Sequence, residues 1–188
     1  MKKFLLVVCV AVALLSCKKE VKNVQTLSGL QTKDFVATAE GKKIALYILK
    51  NTAGLEACIT NYGGRLVSLL VTDRNRKLTD VVLGYGSIAD YLAADGNYGA
   101  LIGRYGNRIK NGQFTLDGLA YQLPQNNNGH CLHGGPKGFH NQVWDAEQID
   151  AQTLKLTYLS KDGEAGFPGN LNVTVTYKLT DQNAIDIQ

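Results

Sequence analysis

From Lys43 onward, apolar and polar positions follow a period of two, the spacing expected of β-strands. Ile44, Leu46 and Ile48 alternate with Ala45, Tyr47 and Leu49; Leu55, Ala57 and Ile59 alternate with Glu56, Cys58 and Thr60. Leu66–Val71 and Val81–Leu83 are short apolar runs bounded by Gly, Asp and Asn. Phe114 and Leu116, then Tyr121 and Leu123, flank Asp117-Gly118, a dipeptide suited to a two-residue hairpin turn. Leu154, Leu156 and Tyr158 make another alternation, and Leu171, Val173, Val175, Tyr177 and Leu179 the longest. Only Ser87–Ala94 reads as a helix, with Ser87 as N-cap and Asp90 three residues on. Many short strands between turn residues predict an all-β antiparallel sandwich or barrel. A last alternation, Ala184–Gln188, starts after a turn and stops with the sequence. A strand there has an open edge, so the chain is expected to be cut short.

Composition changes this picture little. The chain has 188 residues, of which 45% are hydrophobic and 19% charged, an ordinary globular balance that suits one well-cored domain or part of a larger one. Its formal charge of +4 includes Lys2 and Lys3, and +2 without them is too little to argue for nucleic acid. Arg74-Asn75-Arg76-Lys77 is the one basic run and reads as a solvated turn.

The N-terminus changes the picture more. Met1-Lys2-Lys3 precedes an apolar run from Phe4 to Leu15, too short to span a bilayer but suited to a signal peptide. It ends in Leu14-Leu15-Ser16-Cys17, which resembles a bacterial lipobox, so Cys17 is the expected lipidation site. The division expected is a signal peptide over residues 1–16, a polar lipid-anchored tether over 17–34 and the folded domain over 35–188. This implies an exported bacterial lipoprotein, held on a membrane by acyl chains alone, in the periplasm or on the outer membrane. Cys58 and Cys131 remain; export permits a disulfide between them, although separation in sequence does not show that they meet. Buried, inert thiols are the expectation.

The candidate chemistry lies between Gly103 and Trp144, where Arg104, Arg108, Asn126, Asn127, Asn128, His130 and His133 stand among glycines. A guanidinium offers a fixed fork of donors, and a neutral imidazole one donor and one acceptor. Basic residues this few, interleaved with amides, suit a neutral, hydroxyl-rich ligand better than a phosphate. Cys131 lies between two histidines, but the spacing matches no zinc pattern, and no metal is expected.

The ordered motifs here resemble one family. Gly103-Arg104-Tyr105-Gly106-Asn107-Arg108-Ile109, Asn111–Gly118, Leu132-His133-Gly134-Gly135 and Gly138-Phe139 before Trp144 are similar to the aldose 1-epimerases, or galactose mutarotases. Asn61-Tyr62-Gly63-Gly64 upstream and Asp162–Leu171 downstream extend the resemblance in the same order, over roughly residues 33–188. It implies a galactose-mutarotase-type antiparallel β-sandwich, of which this would be an N-terminal portion. It also implies interconversion of the α and β anomers of free hexoses such as galactose and glucose. In that reaction a base takes the C1 hydroxyl proton while an acid protonates the ring oxygen; the ring opens, rotates and recloses. On this resemblance Asn107 and Arg108 fall on the sugar-binding pair, and His133 on a histidine that binds sugar and supports proton transfer to the ring oxygen. No cofactor is implied, and the expected partner is a small-molecule aldose bound by a monomer.

Without the family, His133 beside two glycines and the Asn107-Arg108 pair would read as structural. The family's principal acid histidine, a sugar-binding Asp and a base Glu fall beyond Gln188 on this resemblance. Glu147 and Glu164 are available carboxylates outside any matching motif. The expectation is therefore a fragment with little activity alone. The alternatives are a lipid-anchored carbohydrate-binding module without chemistry, an enzyme acting on sugar phosphates, and a structural envelope lipoprotein.

Overall fold

The apolar positions of the alternating runs meet between two four-stranded sheets. The computed structural model describes residues 23–94 and 96–188, so the expected signal peptide and Cys17 lie outside the described residues. In chain order the strands are β1 (Ala37–Ala39), β2 (Lys42–Ile44), β3 (Leu46–Lys50), β4 (Glu56–Thr60), β5 (Arg65–Thr72) and β6 (Leu78–Asp80). The helix α1 (Ile88–Ala93) follows, then β7 (Arg108–Ile109), β8 (Gln113–Leu116), β9 (Leu119–Gln122) and β10 (Cys131–Leu132). The last four are β11 (Asp145–Gln148), β12 (Thr153–Ser160), β13 (Leu171–Leu179) and β14 (Ile185–Ile187). One sheet runs β3-β4-β5-β6 and the other β11-β12-β13-β14, while β1-β2, β7-β10 and β8-β9 form separate antiparallel pairs. This is the all-β antiparallel architecture that the period-two pattern predicts.

Leu49, Ala57 and Ile59 of the first sheet pack on Leu154, Leu156, Tyr177 and Leu179 of the second, with Trp144 and Phe139 completing the layer. Each such large apolar side chain contributes about 1.5–3 kcal/mol on burial. Across the interface the Tyr177 hydroxyl donates to the Gly64 carbonyl at 2.8 Å, and Asn51 Nδ2 to the Thr180 carbonyl at 2.9 Å. The first sheet is covered on its other face too, where Leu46, Cys58 and Val67 meet Phe35, Ile44, Ile88 and Tyr91. Consequently β4 is buried at every position. The second sheet keeps one wet face: Tyr177 and Leu179 are buried while Thr174 and Lys178 are exposed. β14 is its edge.

The hairpin and helix form as the sequence predicts. Asp117 and Gly118 take φ of 50° and 79°, and the Asp90 N–H donates to Ser87 Oγ at 3.2 Å. Three expectations need correction. The run Ile44–Leu49 is two strands, because the Ala45 N–H leaves the ladder to donate to Asn61 Oδ1 at 2.9 Å. Val81–Leu83 is no strand: pairing ends at Asp80, whose Oδ1 accepts the N–H groups of Leu69 (3.0 Å) and Val82 (3.1 Å). Nor does the ordered unit begin at residue 35. Gln25 and Gln31 form a bridge, Thr26 is buried, and the Leu27 N–H donates to the buried carboxylate of Glu56 at 2.7 Å. Polar composition concealed this because most anchors are backbone groups and one carboxylate, with Leu30 alone packing on the Phe35 cluster.

Cys58 and Cys131 are separate buried thiols in different clusters. Burial, then the neighbouring Glu56 carboxylate, pushes the Cys58 thiol up to about 12. Among the described residues no helix is long and apolar enough to cross a membrane, and no three His, Cys, Asp or Glu gather as a metal site.

Candidate functional site

A two-residue ladder brings the candidate residues together. β7 and β10 set Arg108 opposite Leu132 and Ile109 opposite Cys131. Asn107 and His133, one step beyond the ladder, hold each other by two reciprocal bonds. The His133 N–H donates to the Asn107 carbonyl at 2.9 Å, and the Asn107 N–H donates to His133 Nδ1 at 3.0 Å. Both residues are left-handed, with φ of 63° and 55°, a conformation that costs non-glycine residues about 1–2 kcal/mol and persists where its surroundings fix it. Because Nδ1 accepts, the neutral His133 ring carries its proton on Nε2 and presents a donor there.

Arg108 is exposed and joins this pair through amides: Nε donates to Asn127 Oδ1 at 3.0 Å and Nη1 to Asn107 Oδ1 at 3.1 Å. The structure therefore unites Asn107, Arg108 and His133, and adds Asn127. It assigns their neighbours to scaffolding. Asn126 exchanges two bonds with the backbone of Leu132, at 3.1 and 2.7 Å, and so lengthens the ladder. His130 Nδ1 accepts the Asn111 N–H at 3.1 Å. Arg104 reaches five acceptors at 2.8–3.0 Å on Ser160, Lys161, Pro168 and Gly169, three of them sharing the two hydrogens of Nη2, and so holds the long loop before β13. Its fork is thus committed to the fold and not to a ligand.

Beside His133 opens a cleft of about 310 Å³, at the small end of the roughly 300–1,000 Å³ usual for small-molecule sites. Gly96 and Asn97 form one side, Asn127 and His133 another, His140 and Asn141 the third. Among the described lining residues there is no carboxylate, lysine or arginine. Asn107 and Arg108 are not in the wall and reach it through His133 and Asn127. A wider depression of about 770 Å³ lies near Lys42, Lys137 and Glu164, apart from these residues. Of its charged residues, Lys42 pairs with Asp145 at 2.9 Å, and Glu164 accepts from the hydroxyls of Tyr158 and Ser160. Glu147 pairs with Lys155 at 3.0 Å on the surface, so neither carboxylate faces the cleft.

Two residues that the sequence did not single out shape the cleft. Arg65, 1% exposed, donates from Nη1 to the carbonyls of His140 and Tyr62 (3.2 Å for the latter) and from Nη2 to the Gly96 carbonyl at 3.5 Å. It therefore ties two walls together. Its guanidinium lies over the rings of Tyr62 and Tyr91, 4.9 and 5.4 Å from their centroids, which offsets part of the cost of burying the charge. His140 is 7% exposed. Burial first, then the charge of Arg65 and the neighbouring His133, pulls its pKa down to about 4, so the ring is neutral near pH 7. The Asn61-Tyr62-Gly63-Gly64 motif was the available signal for Arg65, which follows it directly. Gly138 is needed for space: a Cβ there would meet the His133 carbonyl oxygen and lie 2.9 Å from His140 Nδ1.

Known proteins match this chain. The family model described as Aldose 1-epimerase matches residues 45–188. The chain belongs to the aldose 1-epimerase family. It is 42% identical over 125 residues to galactose mutarotase of Rattus norvegicus, covering 66% of this chain and 36% of the relative. It is 38% identical over 149 residues to aldose 1-epimerase of Escherichia coli strain K12, covering 79% and 43%. Among solved structures, a GalM/aldose epimerase homologue from C. elegans superposes with a TM-score of 0.74 at 31% identity, covering 77% of this chain and 44% of that one. Galactose 1-epimerase from Lactobacillus acidophilus NCFM superposes with a TM-score of 0.71 at 28% identity, covering 80% and 45%. The fold is thus of the galactose-mutarotase type, and this epimerase-family chain spans less than half the length of these relatives.

Proposed function

We propose that the cleft beside His133 is one side of an aldose site, and that the protein it belongs to interconverts the α and β anomers of free hexoses such as galactose and glucose. The observation that carries this reading is the reciprocal Asn107–His133 pair, with Arg108 fastened to it and an amide-lined cleft alongside. His133 Nε2–H is available to a ring oxygen or hydroxyl, and Arg108 would bind hydroxyls or the ring oxygen as charge develops there. An amide-rich wall without lysine or arginine among the described residues suits an uncharged sugar rather than a phosphate. Arg104, committed to the loop, subtracts one of the few cations a phosphate would have used.

By the family resemblance, the principal acid histidine, a sugar-binding Asp and the base Glu match no residue of this chain. On this reading the 188 residues bind the sugar and add little rate, since acid–base catalysis without its base loses most of its acceleration. We further propose export and lipidation at Cys17, with a monomeric protein held at the membrane by that anchor alone. Mass spectrometry of the purified N-terminus and a Cys17→Ala variant released from the membrane fraction test this part.

A second reading, carbohydrate binding without chemistry, draws on the absence of a carboxylate among the described cleft residues. Polarimetry of fresh α-glucose with the product of the complete reading frame separates the two. Acceleration lost in His133→Ala supports the epimerase. Saturable binding without acceleration supports the binding module. Neither binding nor acceleration sinks both.

A further inference from the structure

His133 is not the only imidazole of the cleft. His140 also lines it, and among the described residues no hydrogen bond to the ring is found. Nδ1 is buried and unpartnered, with the Nδ1–Cε1 edge against Gly138, where a Cβ would come within 2.9 Å of Nδ1 and 2.8 Å of Cε1. Buried side-chain nitrogens nearly always have partners, and an orphaned lone pair is tolerated better than an orphaned N–H. The proton therefore belongs on Nε2. A histidine kept for structure alone would use at least one nitrogen, as His130 uses Nδ1 on Asn111.

The backbone that carries the ring is also held in place. The His140 carbonyl accepts from Arg65, and the neighbouring Asn141 is fixed by the Tyr62 hydroxyl at 3.3 Å and by its own bond to the Pro136 carbonyl at 3.0 Å. The ring is already withdrawn from water and needs little rearrangement to meet a ligand.

We propose that His140 is a second sugar-contacting residue, its neutral Nε2–H donating to an aldose hydroxyl oxygen beside the donor of His133. The inference rests on the reading of this cleft as an aldose site. It makes the cleft a pair of imidazole donors, from both of which one hydroxyl can accept.

Only three histidines are present, which makes imidazole ¹⁵N–¹H spectra of the chain simple to assign. Titration with D-galactose is expected to move the signals of His133 and His140 together, saturably and with one dissociation constant, and to leave His130 in place. His140→Leu is expected to weaken binding about three- to tenfold, the effect of losing one hydrogen bond, with His140→Gln retaining most of it. Movement of His133 with His140 unmoved overturns this inference and leaves the aldose cleft standing. No movement of either overturns both. The titration of the unaltered chain decides the matter even where a variant folds poorly.

Discussion

The space between the sheets and the cleft beside them are built on different principles. Between the sheets, Leu49, Ile59, Leu154, Leu156 and Leu179 share the load as interchangeable apolar volume, each replaceable at a bounded cost. In the cleft, side chains bond to backbone: Arg65 to three carbonyls, Asn126 to Leu132, His133 to Asn107. No neighbouring side chain duplicates those bonds. The sandwich should therefore degrade gradually under substitution, whereas the cleft should fail at single residues with much of the fold intact.

The largest effect belongs to the sandwich. Trp144, 1% exposed and packed edge-on to Phe139, should cost about 3–5 kcal/mol when replaced by alanine, read from denaturant midpoints. A loss under about 1 kcal/mol would show that the two sheets do not share one core. Next comes Arg65→Met, which leaves buried carbonyls unpaired at about 1–3 kcal/mol and frees two cleft walls. Sugar binding should disappear at a denaturant concentration where the fold persists; retained binding would break the proposed division between the regions.

The fold was legible where one face of an element meets water. Along β13, Tyr177 and Leu179 alternate with exposed Lys178, and the pattern alone fixes the strand and its inner face. On β4 it fixes the strand but not the faces, since Phe35, Ile88 and Tyr91 cover the side that alternation would leave wet. The site was legible only as an ordered set of motifs. Asn107 and His133 stand 26 residues apart, and no periodicity foretells that an imidazole will take the Asn107 N–H. Arg65 and His140 were hidden for a related reason: the acceptors of Arg65 are carbonyls, which every residue type carries.

A pH series sharpens the contrast. The folded pKa of His140, about 4, is below the ordinary value of 6.5, so folding favours the neutral ring. That stabilisation is complete above about pH 6.5, declines as the pH falls and is lost by about pH 4. Its causes are burial, Arg65 and His133. Wild type should lose about 2–3 kcal/mol more than His140→Gln between those pH values; parallel stability curves would contradict this.

The smallest effects separate two arginines four residues apart. Arg104→Lys, losing a fork that five carbonyl and hydroxyl acceptors define, should cost about 1–2 kcal/mol and speed amide exchange in residues 161–169. Arg108→Lys, on the surface, should cost under about 0.5 kcal/mol and weaken sugar binding. The reverse assignment would exchange their roles.

Saturation-transfer NMR of D-galactose against the chain and its His133→Ala variant tests the central claim most directly. The account predicts a saturable signal with the unaltered chain that His133→Ala abolishes and Arg104→Lys preserves. An undiminished signal in His133→Ala would place the sugar elsewhere and contradict the cleft as its site.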